Sequence, residues 1–145
     1  MMKPNQSRIT VAIVEDSRDL RTGMTYILDN SDTCRCVGAY PNAEDFIKAF
    51  PVLMPQVVLM DIGLPQMSGI EATRIIKGQV SQTEIIILSV FEDDDNVFQA
   101  VCAGASGYVT KPVMPQRLLE AVGEASAGGT PMSPHIARRV LNLFK

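Results

Sequence analysis

Five positions carry groups able to act on a charged substrate, and each stands where an apolar run breaks off. Glu15 and Asp16 follow Ile9-Thr10-Val11-Ala12-Ile13-Val14, and Asp61 follows Val57-Val58-Leu59-Met60. Ser89 closes Glu84-Ile85-Ile86-Ile87-Leu88, and Lys111 comes directly after Gly107-Tyr108-Val109-Thr110. Apolar, β-branched runs of this length read as strands buried on both faces, as in a parallel sheet covered by helices. In an open sheet of that kind the C-terminal strand edges face one crevice, so groups distant in sequence meet there. Three carboxylates brought together repel one another, and a cation relieves them. With oxygen donors and neither His nor Cys alongside, the ion is a hard one, Mg²⁺ before Ca²⁺, keeping several waters and a place for a phosphate oxygen. A lysine and a hydroxyl beside it add positive charge and a donor. Together the five describe a phosphoryl site, with Asp61 as covalent nucleophile and Lys111 stabilising the phosphoryl oxygens. Taken alone, Asp61 also reads as a turn residue, because Gly63 and Pro65 follow it; the other strand ends are what set it apart.

These side chains must be positioned by strand-then-helix units, and the chain supplies them in order. Leu20, Met24, Ile27 and Leu28 recur at helical spacing over Arg18 to Leu28, with Ser17 as N-cap. Cys34 to Tyr40 reads as a strand, followed by a helix capped at Asn42 that carries Phe46, Ile47 and Phe50 and is closed by Pro51 and Pro55. Ser68-Gly69-Ile70-Glu71 fits a capping box, Ser68 accepting from the helix start and Glu71 reaching back, and that helix runs through Lys77 with Ile70, Ile75 and Ile76 inward. The acidic run Glu92-Asp93-Asp94-Asp95 reads as stabilising the positive end of a helix to about Ala103. Pro112 ends the last strand, and Pro115 opens a helix carrying Leu118, Leu119, Val122 and Ala125 up to Gly128-Gly129. Five such units with short connections predict an α/β, doubly wound, flavodoxin-like fold: a five-stranded parallel sheet with helices on both faces.

A chain of 145 residues can bury the core of one domain unaided. Its 13 basic and 16 acidic side chains leave a formal charge of −3, with no Lys/Arg-rich run and hence no nucleic-acid footprint. The start, Met1 to Arg8, is polar with no apolar segment behind it, and no later stretch is long enough to span a bilayer, which predicts a cytoplasmic protein. The sequon Asn5-Gln6-Ser7 carries no meaning there. Cys34, Cys36 and Cys102, with His135 the sole histidine, are too few ligands for zinc and read as small core or half-buried residues.

From Ile9 to about Ala127 the pattern resembles the receiver domain of two-component response regulators. That resemblance implies that Asp61 accepts a phosphoryl group from a phosphohistidine on a sensor histidine kinase. It implies that Glu15, Asp16, Asp61 and the Gly63 carbonyl hold Mg²⁺, and that Ser89 bonds the phosphoryl group. Tyr108 is similar to the switch aromatic, and Lys111 to the family's lysine, whose bond to the following proline is typically cis. The chain would then be a switch more than an enzyme, limited to self-phosphorylation from small donors and autodephosphorylation. Phosphorylation would draw Ser89 to the phosphate, turn Tyr108 inward, change the partner-binding surface and favour a homodimer. Val90, larger than the residue frequent there, predicts a narrowed path for Tyr108. Phe91 is bulky enough to shield the acyl phosphate.

Three other readings are compatible with this fold. An aspartyl-nucleophile phosphatase also forms a phospho-aspartate, but it resembles its relatives in carrying a second Asp two residues on, where Gly63 stands here. A phosphorylation-independent interaction module would keep the fold without the switch. A flavin-binding domain of this topology would need a hydroxyl-rich phosphate loop after the first strand, which is absent. Residues 8–127 form the expected receiver domain and 128–145 a linker with a short helix. Ser133-Pro134 gives an N-cap and first-turn proline, and Ile136, Val140 and Leu143 give one apolar face, covered by the receiver or a second copy. Leu88 to Asp93 and Gly129 to Pro134 resemble regulators joined to a LuxR-type helix-turn-helix, a DNA-binding domain these residues do not contain. Arg138 and Arg139 would stay solvated, too few to hold DNA, so no nucleic acid and no membrane is expected as a partner of this chain.

Overall fold

Each apolar run bounded by Gly, Pro or a capping residue becomes a strand in the computed structural model, which describes residues 8–145. In chain order the elements are β1 (Ile9–Val14), α1 (Arg18–Asp29), β2 (Cys34–Tyr40), α2 (Ala43–Leu53), β3 (Val57–Met60), α3 (Gly69–Gln79), β4 (Glu84–Ser89), α4 (Asp94–Ala103), β5 (Gly107–Thr110), α5 (Pro115–Ser126) and α6 (Pro134–Leu143). The strands form one parallel sheet of order β2-β1-β3-β4-β5. The polar N-terminal stretch and its sequon lie outside the described residues, apart from Arg8. No helix among the described residues is long and apolar enough to cross a membrane.

Strand periodicity divides the core in two. Ala12, Val14, Val58, Met60, Ile85, Ile87 and Tyr108 face one layer with Phe46, Phe50, Ile76, Val97 and Ile136, while Val11, Ile13, Val57, Leu59, Ile86 and Leu88 face the other with Met24, Leu28, Leu118 and Val122. Thus α1 and α5 cover one face, and α2, α3 and α4 the other. Ser17 caps α1 by accepting from Leu20 N at 3.3 Å, and Asn42 caps α2 by accepting from Asp45 N at 2.7 Å. Asp93 caps α4: bonds from Asn96 hold its carboxyl below the ordinary value, in keeping with the helix-end reading of the acidic run.

Several local expectations are corrected. Pro51 does not close its helix but lies inside α2, which continues to Leu53. Its missing donor falls on an exposed turn, and the buried Phe46 and Phe50 hold the helix on the sheet. The stop is Met54, left-handed at φ 41° with its N–H on Phe50 O, and Pro55 comes after it. In α3 only half of the capping box forms. Ser68 accepts from Glu71 N at 3.2 Å, but the Glu71 carboxylate pairs with Arg74 at 2.7 Å, the exposed neighbour one turn on. That helix ends at Gln79, two residues past Lys77, and Ile75 is half-buried where Ile70 and Ile76 are buried. Cys34 is buried and Cys36 half-buried, whereas Cys102 is exposed because α4 turns Val97, Ala100 and Ala103 inward instead.

The tail helix is ordered over Pro134–Leu143, and the receiver itself covers it: α6 packs on α4. Ile136 is fully buried, with Val140 and Leu143 packed against the same cluster; burying one such side chain contributes about 2 kcal/mol. Ser133 does not cap α6 with its side chain. Its hydroxyl accepts from Thr110 N at 3.0 Å, a donor that edge strand β5 leaves free. Arg139 is not simply solvated, since its guanidinium reaches Asp94 at 2.7 Å.

Candidate phosphoryl-transfer site

The parallel register delivers the strand ends to one edge. Val14 pairs with Met60, Met60 with Ile87, and Ser89 with Thr110, so Glu15, Asp61, Ser89 and Lys111 leave the sheet side by side. Asp61 N donates to Val14 O at 3.0 Å, and Lys111 N donates to Ser89 O at 3.0 Å, which ties the neighbouring edges together.

Carboxylate oxygens of Glu15, Asp16 and Asp61 all lie within 4.8 Å of one another. Glu15 and Asp61 are buried and Asp16 is exposed at the mouth. Lys111 Nζ stands 2.5 Å from Glu15 Oε1 and 3.4 Å from Asp61 Oδ2, so one ammonium serves two nearly desolvated carboxylates. The other Glu15 oxygen accepts from Ser17 N at 3.0 Å, fixing the side chain over the start of α1. Hard oxygen donors gathered so closely fit Mg²⁺, with one carboxylate facing water. Lys111-Pro112 is cis.

Ser89 is fully buried, and its hydroxyl accepts from Phe91 N at 2.9 Å. Tyr108 is already inside the core, 1% exposed, and its phenol donates to Phe91 O at 2.6 Å. Burial, reinforced by the charges of Asp93, Glu92 and Asp61 against an opposing hydrogen bond from Ser89, pushes its pKa up to about 12, so the phenol remains a donor at physiological pH. Val90 does not narrow the way to it. Val90 is 64% exposed and lines a groove with Leu20, Met24 and Val113 over the opposite layer.

The Phe91 ring lies against the turn that follows Asp61: a Cβ on Gly63 would meet Phe91 Cε2 at 3.5 Å. Whether a ring at that place limits the approach of water to Asp61, as the sequence reading expects, is decided by removing it. Replacing it in Phe91→Ala should speed loss of a phosphoryl group from the chain by about tenfold, the scale of excluding or admitting one reactive water. Equal decay of the two phosphorylated proteins, followed by intact mass, would show that the ring shields nothing.

Two supports of the site carry no signal in the sequence. Arg21 Nη1 donates to the carbonyls of Glu15 at 2.9 Å and Asp16 at 3.3 Å, a bond from the second turn of α1 back to the end of β1. Gly69 is the other: a Cβ there would lie 1.9 Å from the carbonyl oxygen of Asp61. The start of α3 therefore touches the backbone of the candidate acceptor.

Known proteins are similar to this chain in sequence and fold. Residues 11–123 match the response regulator receiver domain. Over 124 residues the chain is 33% identical to YxjL, an uncharacterized transcriptional regulatory protein of Bacillus subtilis, covering 86% of this chain and 57% of that protein. It is 33% identical over 132 residues to the response regulator GacA of Pseudomonas aeruginosa, covering 91% of this chain and 62% of that protein. The chain thus spans about three fifths of the length of these relatives. A crystal structure of a LuxR-family two-component response regulator from Aurantimonas sp. SI85-9A1 superposes with a TM-score of 0.87 at 30% identity, over 95% of this chain and 99% of that one. Since the family match runs from Val11 in β1 to Gly123 in α5, through every strand that delivers a side chain to the crevice, this chain belongs to the response regulator receiver domain family.

Proposed function

We propose that the chain is a phosphorylation switch in which Asp61 takes a phosphoryl group from a phosphohistidine of a sensor histidine kinase in the cytoplasm. A carboxylate oxygen of Asp61 forms the new P–O bond as the P–N bond breaks, and the freed imidazole keeps the electron pair and takes up a proton. Lys111 stabilises the phosphoryl oxygens, Ser89 donates to one of them, and Tyr108 reports the change to the surface. Glu15, Asp16, Asp61 and the Gly63 carbonyl would hold Mg²⁺, which supplies charge neutralisation for the incoming phosphate. The observation that carries this reading is the cluster of three carboxylates within 4.8 Å, bridged by Lys111. Incubation with Mg²⁺ and a small phosphodonor should add one phosphoryl group by intact mass; a chain that stays unmodified refutes it.

An apolar groove of about 400 Å³ between α1 and α5, reaching Lys111 and Pro112, supports a protein donor. Gly63 offers no general acid, which disfavours rapid turnover of the phosphatase kind. Of the relatives named above, YxjL is a transcriptional regulatory protein longer than this chain, and by that likeness the switch acts on transcription through an output domain outside these residues. We assign this chain no nucleic-acid contact of its own.

Asp16, exposed at the mouth, is the carboxylate that a metal reaches first. Because so few protein ligands contribute, Mg²⁺ binding should be weak and should fall by about tenfold or more in Asp16→Ala. Equal Mg²⁺ affinity in a calorimetric titration of the two proteins would remove Asp16 from the ligand set.

A further inference from the structure

The segment after α5 returns to the sheet and fastens to the moving parts of the switch. Tyr108 N donates to Pro131 O at 2.9 Å, Ser133 N donates to Tyr108 O at 3.1 Å, and Thr110 bonds the Ser133 hydroxyl, so residues 131–133 run as a short parallel strap along edge strand β5. The strap fits closely: a Cβ on Gly107 would meet Pro131 O at 2.5 Å and Pro131 Cγ at 2.8 Å. Beyond it, α6 takes hold of the segment between β4 and α4. His135 Nε2 lies 3.1 Å from Glu92 Oε1, and Arg139 Nη1 lies 2.7 Å from Asp94 Oδ1. Phe91, next to Glu92, is held from inside by Ser89 and Tyr108. One short stretch of backbone is therefore gripped on its inner side by the switch residues and on its outer side by α6.

We infer that the strap and α6 are an internal brace for the inward arrangement of Tyr108, and that they thereby favour phosphorylation of Asp61. The inference rests on the phosphoacceptor reading of Asp61. Any shift of the Ser89 hydroxyl toward or away from a phosphoryl group moves Phe91, whose N–H it accepts and whose carbonyl holds the Tyr108 phenol. Such a shift also carries Glu92 and Asp94, the anchors of α6. Coupling of this kind is reciprocal. A brace that favours the phosphorylated arrangement is itself tightened by phosphorylation.

The test uses the full chain with Mg²⁺ and trifluoroberyllate, an equilibrium mimic of the phosphoryl group, in wild type, in the double variant His135→Ala/Arg139→Ala and in Gly107→Ala. Calorimetric affinity should fall by about two- to tenfold in the double variant, the range expected of one exposed ion pair and one exposed polar contact, and Gly107→Ala, which displaces the strap without touching a charge, should lower it too. Hydrogen exchange of amides in residues 131–143 of the wild type should slow by a comparable factor when the mimic binds. Unchanged or increased affinity in both variants, or exchange that is unaltered or faster, overturns the brace and leaves Asp61 as acceptor. A wild-type chain that takes up neither trifluoroberyllate nor a phosphoryl group removes the acceptor and the brace together.

Discussion

Asp61→Asn should lose phosphoryl incorporation altogether while keeping the fold. The amide is nearly isosteric and cannot form an acyl phosphate, and Glu15 and Asp16, left intact, test whether a neighbour can substitute. The effect on stability should be small because two terms oppose. Removing the Asp61 charge ends its repulsion with Glu15 and Asp16, but it also ends the 3.4 Å attraction to Lys111. Lys111 keeps its 2.5 Å partner Glu15, so no buried charge is orphaned, and the unfolding free energy should stay within about 1 kcal/mol of wild type. Intact mass after exposure to a small phosphodonor reads the first outcome and urea denaturation the second. Undiminished incorporation in the variant would assign the acceptor elsewhere, and a collapse in stability would mean that Asp61 serves the fold before it serves the chemistry.

Gly69→Ala should be far more damaging than its place at the start of a helix suggests. At an ordinary helical position the change would stabilise by about 1 kcal/mol, alanine being the better helix former. Here the added Cβ would lie 1.9 Å from Asp61 O, 2.8 Å from Asp61 C and 2.9 Å from Met60 Cγ. Two of those atoms are backbone, and that backbone is tied down. Asp61 N is bonded to Val14 O, and Gly69 N to Ile62 O. Either α3 withdraws or the end of β3 shifts, at a net loss of about 2–4 kcal/mol. Because the shift displaces the reacting carboxylate, phosphoryl uptake by the folded fraction should also drop, by about tenfold or more. A urea midpoint at or above that of wild type would show that the contact is relieved without consequence.

The sequence by itself determined the architecture and the membership of the crevice. Runs such as Val57 to Met60 and Ile85 to Leu88 are apolar on both faces and end at polar or charged residues, Asp61 and Ser89, so they admit a parallel sheet with helices on each side, and the order of units sets which edge the charges share. Glu15, Asp16, Asp61, Ser89 and Lys111 were legible for that reason: their position depends on where a strand ends, which is local information. What only the tertiary structure decided depends on pairs of segments remote in the chain. Ser133 has the composition of a cap, yet Thr110 N takes its hydroxyl because β5 is an edge strand with a donor to satisfy. Pro51 has the composition of a helix stop, yet Phe46 and Phe50, buried against the sheet, carry α2 past it. Tyr108 lies inward because Phe91 O is there to receive its phenol, and Gly69 must be glycine because the turn after Asp61 folds back upon it. Local propensity acts through neighbours within a few residues, and these outcomes are fixed by contacts across 17 residues from Phe91 to Tyr108 and 23 from Thr110 to Ser133, distances at which only packing and the satisfaction of buried polar groups choose among alternatives.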